Sequence, residues 1–158
     1  GRVLHGHVGM AGEIGHMTVD PVGNPCGCGN VGCLEKHASA TAVVAMAKLL
    51  HVGEDREELT AEYVCRMAIS GDAKAKMVFE CMGRALGVAI ANLVNIFNFP
   101  LYLMSGGLLP AWEFFMPVLQ AEVARRSFTY RNAKTRIEKA VLGNEAGLYG
   151  AAYLPFIE

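Results

Sequence analysis

The stretch Cys26-Gly-Cys28-Gly-Asn-Val-Gly-Cys33 limits what this chain can fold into more than any other. Three thiols cannot pair among themselves without leaving one over, and a closed tetrahedral metal site needs four ligands. The intervening glycines let the backbone turn tightly around an ion. A fourth ligand has to come from a second segment, so the loop ties distant residues together. The nearest preceding candidate is His16, with Pro21 and Pro25 restricting the connection; His5, His7, His37 and His51 are the competitors. Three sulfurs and one imidazole nitrogen suit Zn2+, the alternative being a loop of free or redox-active thiols. A secreted disulfide framework fits poorly, because the chain has five cysteines and three are crowded into one loop. Cys65 and Cys81 lie in helical patterns among Met, Ala and Val, where a cysteine acts as a small buried hydrophobe.

Around this loop the chain reads as alternating helices and strands. Residues 2–8 predict a short strand and 9–36 a glycine-rich loop. A helix starts near Ser39 or Thr41 and stops before Gly53. Thr60 is a candidate N-cap for a helix with Tyr63, Val64, Met67 and Ala68 at helical spacing, ending at Ser70-Gly71. Asp72 can cap the next helix, a long one to Asn98 with a wide apolar stripe through Met77, Cys81, Ala85, Ala89 and Leu93. Gly83 and Gly87 lie one turn apart on it. Each costs about 1 kcal/mol of helix propensity relative to alanine, offset either by a close backbone within the chain or by contact with a second copy. Pro100 ends this helix, LYLMSGG (101–107) reads as a buried strand, and a helix follows from about Pro110 to Arg126. A last strand over 135–143 and a closing helix complete a pattern that argues for one α/β domain over 1–158, with parallel strands.

Composition serves mainly to exclude. Fourteen Lys and Arg against 15 Asp and Glu give a net charge of −1, without the basic footprint of nucleic-acid binding. No uninterrupted apolar run reaches the ~18 residues of a membrane span, and nothing at the start resembles a signal peptide, so a cytoplasmic protein is expected. Gly1 opens the chain in what reads as mid-strand, which predicts that the sequence continues a longer protein.

Glu13-x-Gly15-His16, followed by Cys26-Gly-Cys28-Gly-x-x-Gly32-Cys33-Leu34-Glu35, resembles the signature of the ROK family of bacterial sugar kinases and sugar-responsive repressors. The resemblance implies a structural zinc on His16, Cys26, Cys28 and Cys33, and a hexose whose hydroxyls contact Glu13, His16 and Glu35. An imidazole with one nitrogen on a metal has its tautomer set, and the other N–H is left to donate. The implied fold is part of the second, C-terminal domain of an actin-like ATPase (ribonuclease H-like) fold, with residues 9–36 as its zinc and sugar loop. Ser105-Gly106-Gly107, closing a buried strand, resembles the segment that holds the adenosine of ATP, which places Gly106 and Gly107 at a nucleotide. Leu142–Gly147 resembles the family's closing segment. The family's Asp-x-Gly phosphate turn and its catalytic aspartate have no counterpart here, since no aspartate precedes Asp20. No catalytic residue is therefore expected in this chain, which should be silent on its own and prone to homo-oligomerise through uncovered apolar surface.

The implied activity is transfer of phosphate from Mg·ATP to a hexose, glucose to glucose 6-phosphate first among the candidates. The alternatives are a sugar-sensing repressor domain, an N-acetylmannosamine, N-acetylglucosamine or fructose kinase, and a zinc-stabilised module without sugar affinity.

Overall fold

A computed structural model describes residues 3–53 and 58–156. Three helix starts rest on side-chain caps at the positions the sequence suggests. Ser39 Oγ accepts from the Ala42 N–H at 3.1 Å, Thr60 Oγ1 from Tyr63 at 3.2 Å and Asp72 Oδ1 from Ala75 at 2.7 Å. They open α2 (Ala40–Leu49), α3 (Ala61–Ile69) and α4 (Ala73–Phe97), preceded by a single turn of helix, α1 (Glu35–Ala38). Asn98 closes α4 in the left-handed conformation, at φ 50°. Removing the Asp72 cap by Asp72→Ala should cost about 1 kcal/mol, a fall of roughly 2–4 °C in Tm for a chain of this size. Asp72→Asn should melt close to wild type, since Asn caps as well as Asp; thermal melts of the two variants check this.

Beyond α4 the chain runs through β1 (Leu101–Met104), α5 (Trp112–Arg126), a one-turn α6 (Tyr130–Ala133), β2 (Arg136–Lys139) and α7 (Ala146–Tyr153). The strands pair in parallel with Tyr102 opposite Ile137, and α5 and α6 make the crossover that a parallel pair requires. The pairing matches the layered α/β expectation, with both strands shorter than the segments 101–107 and 135–143 expected for them.

Elsewhere the sequence expectation needs correcting. Residues 3–8 form no strand, because a strand needs a ladder partner and neither β1 nor β2 lies alongside them. The chain turns back instead, with the Ala11 N–H donating to the His5 carbonyl at 3.0 Å. The 9–36 loop holds a 3-10 turn at Ile14–His16 and ends in α1. The closing helix, expected over 146–157, gives way to a 3-10 turn at Leu154–Phe156, where Pro155 has no N–H to continue it; residue 157 lies outside the described ones.

Helix α4 is the centre of the core. Its Val78, Phe79 and Val94 pack with Val43 of α2, Val64 of α3 and Phe115, Leu119 and Val123 of α5, all fully buried. Burial of each such side chain is worth about 1.5–3 kcal/mol. By length and composition alone α4 also passes for a membrane span, although Lys74, Lys76, Glu80 and Arg84 interrupt its apolar positions, so no uninterrupted apolar run reaches that length. In this fold the helices around it take up its apolar faces. A Cβ on Gly83 would stand 2.4 Å from the Phe115 carbonyl oxygen, and one on Gly87 2.9 Å from that of Leu119. The two glycines are thus the seam where the α5 backbone meets α4, and packing within the chain accounts for them without a second copy.

A smaller apolar cluster positions the functional loop. Leu34, next to Cys33, is buried against Ala85 and Ala89 of α4. Cys65 is buried on α3, where desolvation raises its thiol pKa, whereas Cys81 is only partly covered.

Candidate metal centre and adjoining cavity

The cysteine loop is shaped by two isolated antiparallel bridges, Pro25 with Val31 and Thr18 with Cys33. The Cys26 N–H donates to the Asn30 carbonyl at 2.8 Å and the Gly32 N–H to the Asn24 carbonyl at 2.8 Å, closing the turn that carries the sulfurs. Gly32 has φ +66°, and a Cβ there would fall 1.6 Å from the Asp20 carbonyl oxygen. Only glycine lets residues 16–20 lie this close to the cysteines.

That approach brings His16 to the sulfurs. The ligand atoms of His16, Cys26, Cys28 and Cys33 all lie within 4.8 Å of one another, forming a group that could hold a metal ion. The other histidines among the described residues supply no atom to it. Cys28 Sγ and Cys33 Sγ are 3.6 Å apart, and Cys26 Sγ is 3.7 Å from His16 Nδ1. A disulfide would need about 2.05 Å. A tetrahedron with metal–sulfur bonds of about 2.3 Å has edges of about 3.8 Å. The separations therefore fit an ion at the centre and not a cross-link.

The carboxylates singled out in the sequence flank this group on two sides. Glu13 Oε2 lies 3.9 Å from His16 Nε2, the nitrogen that faces away from the sulfurs. Glu35 Oε1, on the first turn of α1, lies 3.8 Å from Cys26 Sγ and 3.9 Å from Lys36 Nζ. Both carboxylates are open to solvent and so free to accept from a bound polyol. Sequence reasoning assigned nothing to Asn30, although its side chain reaches His16, Thr18 and Cys33; a polar residue between metal-spaced cysteines was the available signal.

The thiols are not equivalent. A backbone N–H from Asn30 holds the exposed Cys28 thiol below its usual range, with a further contribution from Cys26. Burial pushes the Cys33 thiol up to about 11. A metal ligates the thiolate, so at neutral pH an arriving ion must displace the Cys33 proton. Apparent metal affinity should therefore rise with pH by at least about tenfold per unit between pH 6 and 8, a range in which Cys33 stays protonated without the ion. Calorimetric titration in buffers of different ionisation enthalpy should show at least one proton released per ion; no release would contradict the Cys33 shift.

The second predicted location lies at the C-terminal end of β1. Ser105-Gly106-Gly107 rims a cavity of about 400 Å³, lined mainly by apolar side chains such as Met82, Leu86, Met104 and Phe115, with Glu62 as its charged group. Gly106 has φ +120°, and open space lies where Cβ atoms would project from both glycines. Ala38 and Ala40 line the same cavity. A single turn of helix, about 6 Å long, thus separates Glu35 at the metal loop from the cavity wall.

Fold and site together define a mixed α/β protein with a Cys/His metal loop set beside a pair of carboxylates and an apolar cavity. The sequence matches the ROK family over residues 1–156, and the chain belongs to that family. It is 36% identical to a glucokinase from Halalkalibacterium halodurans over 98% of its own length and 50% of the relative's. It is 34% identical to a putative xylose repressor from a Caldicellulosiruptor species, over 94% of this chain and 40% of the repressor. Among solved structures it superposes on a ROK family glucokinase from Streptomyces griseus, in complex with glucose and AMPPNP, with a TM-score of 0.80 and 29% identity. That match covers 97% of this chain and 54% of the glucokinase. The chain spans about half the length of these relatives.

Proposed function

We propose that this chain carries the sugar-binding, metal-clamped part of an ATP-dependent hexose kinase that converts glucose to glucose 6-phosphate. The observation that carries the proposal is the flanking of one metal quartet by two open carboxylates, Glu13 beside His16 Nε2 and Glu35 beside Cys26 Sγ. Zinc suits three sulfurs and an imidazole; held by four protein ligands it has no open position and serves as a clamp. Glu13 and Glu35 then each accept hydrogen bonds from hydroxyls of the sugar, and the His16 Nε2–H donates to another. The cavity at Gly106-Gly107 takes the adenosine of Mg·ATP, its apolar walls suiting a planar base and the bare glycine backbone allowing close approach. Phosphoryl transfer also needs a carboxylate to take the sugar proton. We assign that base to no residue of this chain.

The likeness to a xylose repressor supports a second reading, in which the same sugar pocket acts as a sensor. The cavity beside β1 favours the kinase, because sensing a sugar requires no nucleotide. Glu35→Ala in the complete protein tests the sugar assignment common to both. Loss of a charged acceptor to hydroxyls is worth about 1.5–3 kcal/mol, or roughly 10–150-fold in glucose Kd, with zinc content unchanged. Wild-type glucose affinity in that variant would remove Glu35 from the pocket. ATP binding measured on the same protein separates kinase from sensor.

A further inference from the structure

Asn30 touches every segment that carries a ligand of the metal quartet, although neither the sugar nor the metal assignment uses it. Its side-chain nitrogen lies 2.9 Å from Thr18 Oγ1, 3.4 Å from the His16 carbonyl oxygen and 3.5 Å from Cys33 Sγ. Its own carbonyl accepts the Cys26 N–H at 2.8 Å. The orientation of the amide follows from its neighbours. The His16 carbonyl oxygen only accepts, as does the Cys33 sulfur once a metal holds it as a thiolate, so the NH2 end has to face them. The Thr18 hydroxyl donates onward to the Val31 carbonyl at 3.3 Å, which leaves its oxygen to accept from Asn30. The amide has two hydrogens for three acceptors, so one hydrogen is shared.

We propose that Asn30 is a positioning residue of the metal centre, its amide N–H groups fastening the His16–Thr18 segment to the cysteine loop and donating to the Cys33 sulfur. The inference rests on the metal assignment above. Two consequences follow from the chemistry. Without the amide, residues 16–18 and 26–33 keep their backbone bonds, the Thr18 hydroxyl on the Val31 carbonyl at 3.3 Å and the 3.5 Å contact of Cys33 Sγ with the His16 carbonyl. They lose the side chain that reaches His16, Thr18 and Cys33 together, and the quartet is held less firmly. An N–H···S bond also draws charge from a thiolate, so its removal leaves Cys33 the more electron-rich donor.

The test is substitution at position 30 in the chain, read by zinc affinity and by the thiolate-to-metal charge-transfer band of the cobalt(II) form. Outer-shell partners of metal ligands typically contribute 10–100-fold in affinity. Asn30→Ala should weaken zinc about 10-fold and move the cobalt band to longer wavelength. Asn30→Asp, the same shape with acceptors in place of donors, should weaken zinc about 100-fold. Thr18→Val, which leaves the N–H on Cys33, should keep the band in place. A residue that merely fills space would rank the other way, with Asp nearest to wild type and Ala worse, and that order overturns the inference. An unmoved band with zinc affinity within about twofold of wild type in both Asn30 variants overturns it too, while leaving the metal assignment standing. A wild-type chain that binds neither zinc nor cobalt removes the metal assignment, and this inference with it. Far-UV circular dichroism of each variant shows that the core around α4, which Asn30 does not touch, remains folded.

Discussion

Replacing Cys33 with serine should abolish zinc binding and unfold residues 13–36 while α2 to α5 stay folded. Apart from Gly32, the only buried residues in that segment are Cys26, Cys33 and Leu34, and two of those three are ligands of the quartet. The segment has two isolated bridges and a turn of 3-10 helix in place of extended secondary structure before α1. Little apart from the ion therefore offsets its conformational entropy, about 1–2 kcal/mol per ordered residue. Structural zinc sites in small peptides supply about 10–16 kcal/mol at neutral pH, and this energy is folding energy. The core around Phe79, Phe115 and Leu119 is a separate cluster and does not depend on it. The expected results are one zinc per wild-type chain and none in the variant, with amide exchange accelerated over 13–36 and retained protection in α4. Sugar binding in the complete protein should fall by at least about 10²-fold, since Glu13 and Glu35 are placed by the segment that melts. One zinc per chain in the serine variant, or a disulfide among these cysteines in reducing buffer, would overturn the metal assignment.

Gly83→Val should lower stability by about 3 kcal/mol, the upper part of the range for overpacked cores, a fall in Tm of roughly 6–12 °C. The new Cβ would meet the Phe115 carbonyl oxygen at 2.4 Å, and α5 backbone cannot rotate away as a side chain can. Helix α5 would have to shift off α4, opening the cluster of Phe79, Phe115 and Leu119. Valine brings little gain in helix propensity to offset this. Were Gly83 instead part of a contact between two copies, the melting of the monomer would be unchanged and the oligomeric state would shift. Thermal melts combined with sedimentation distinguish the two outcomes.

Some of this structure was determined by the sequence acting locally. Ser39, Thr60 and Asp72 start their helices where a side-chain oxygen can reach an N–H three residues on, which needs no tertiary partner. The spacing of Cys26, Cys28 and Cys33 marked a metal loop for the same reason, since short-range geometry limits what three thiols with glycines between them can do. Other features depended on what lies alongside. Residues 3–8 look like a strand and find no ladder among the described residues, and α4 is apolar enough for a membrane until its neighbours are placed around it. The glycines at 83 and 87 carry no mark in the sequence to tell an internal seam from an external one; the position of the Phe115 carbonyl decides it. The role of Asn30 was hidden for a related reason. Its partners His16 and Thr18 lie 14 and 12 residues away in the chain, and only the closure of the loop over Gly32 brings them within reach of one amide. Propensity, capping and ligand spacing act over a few residues and are legible in order along the chain, whereas pairing, close backbone approach and long-range hydrogen bonds exist only once the chain has closed on itself.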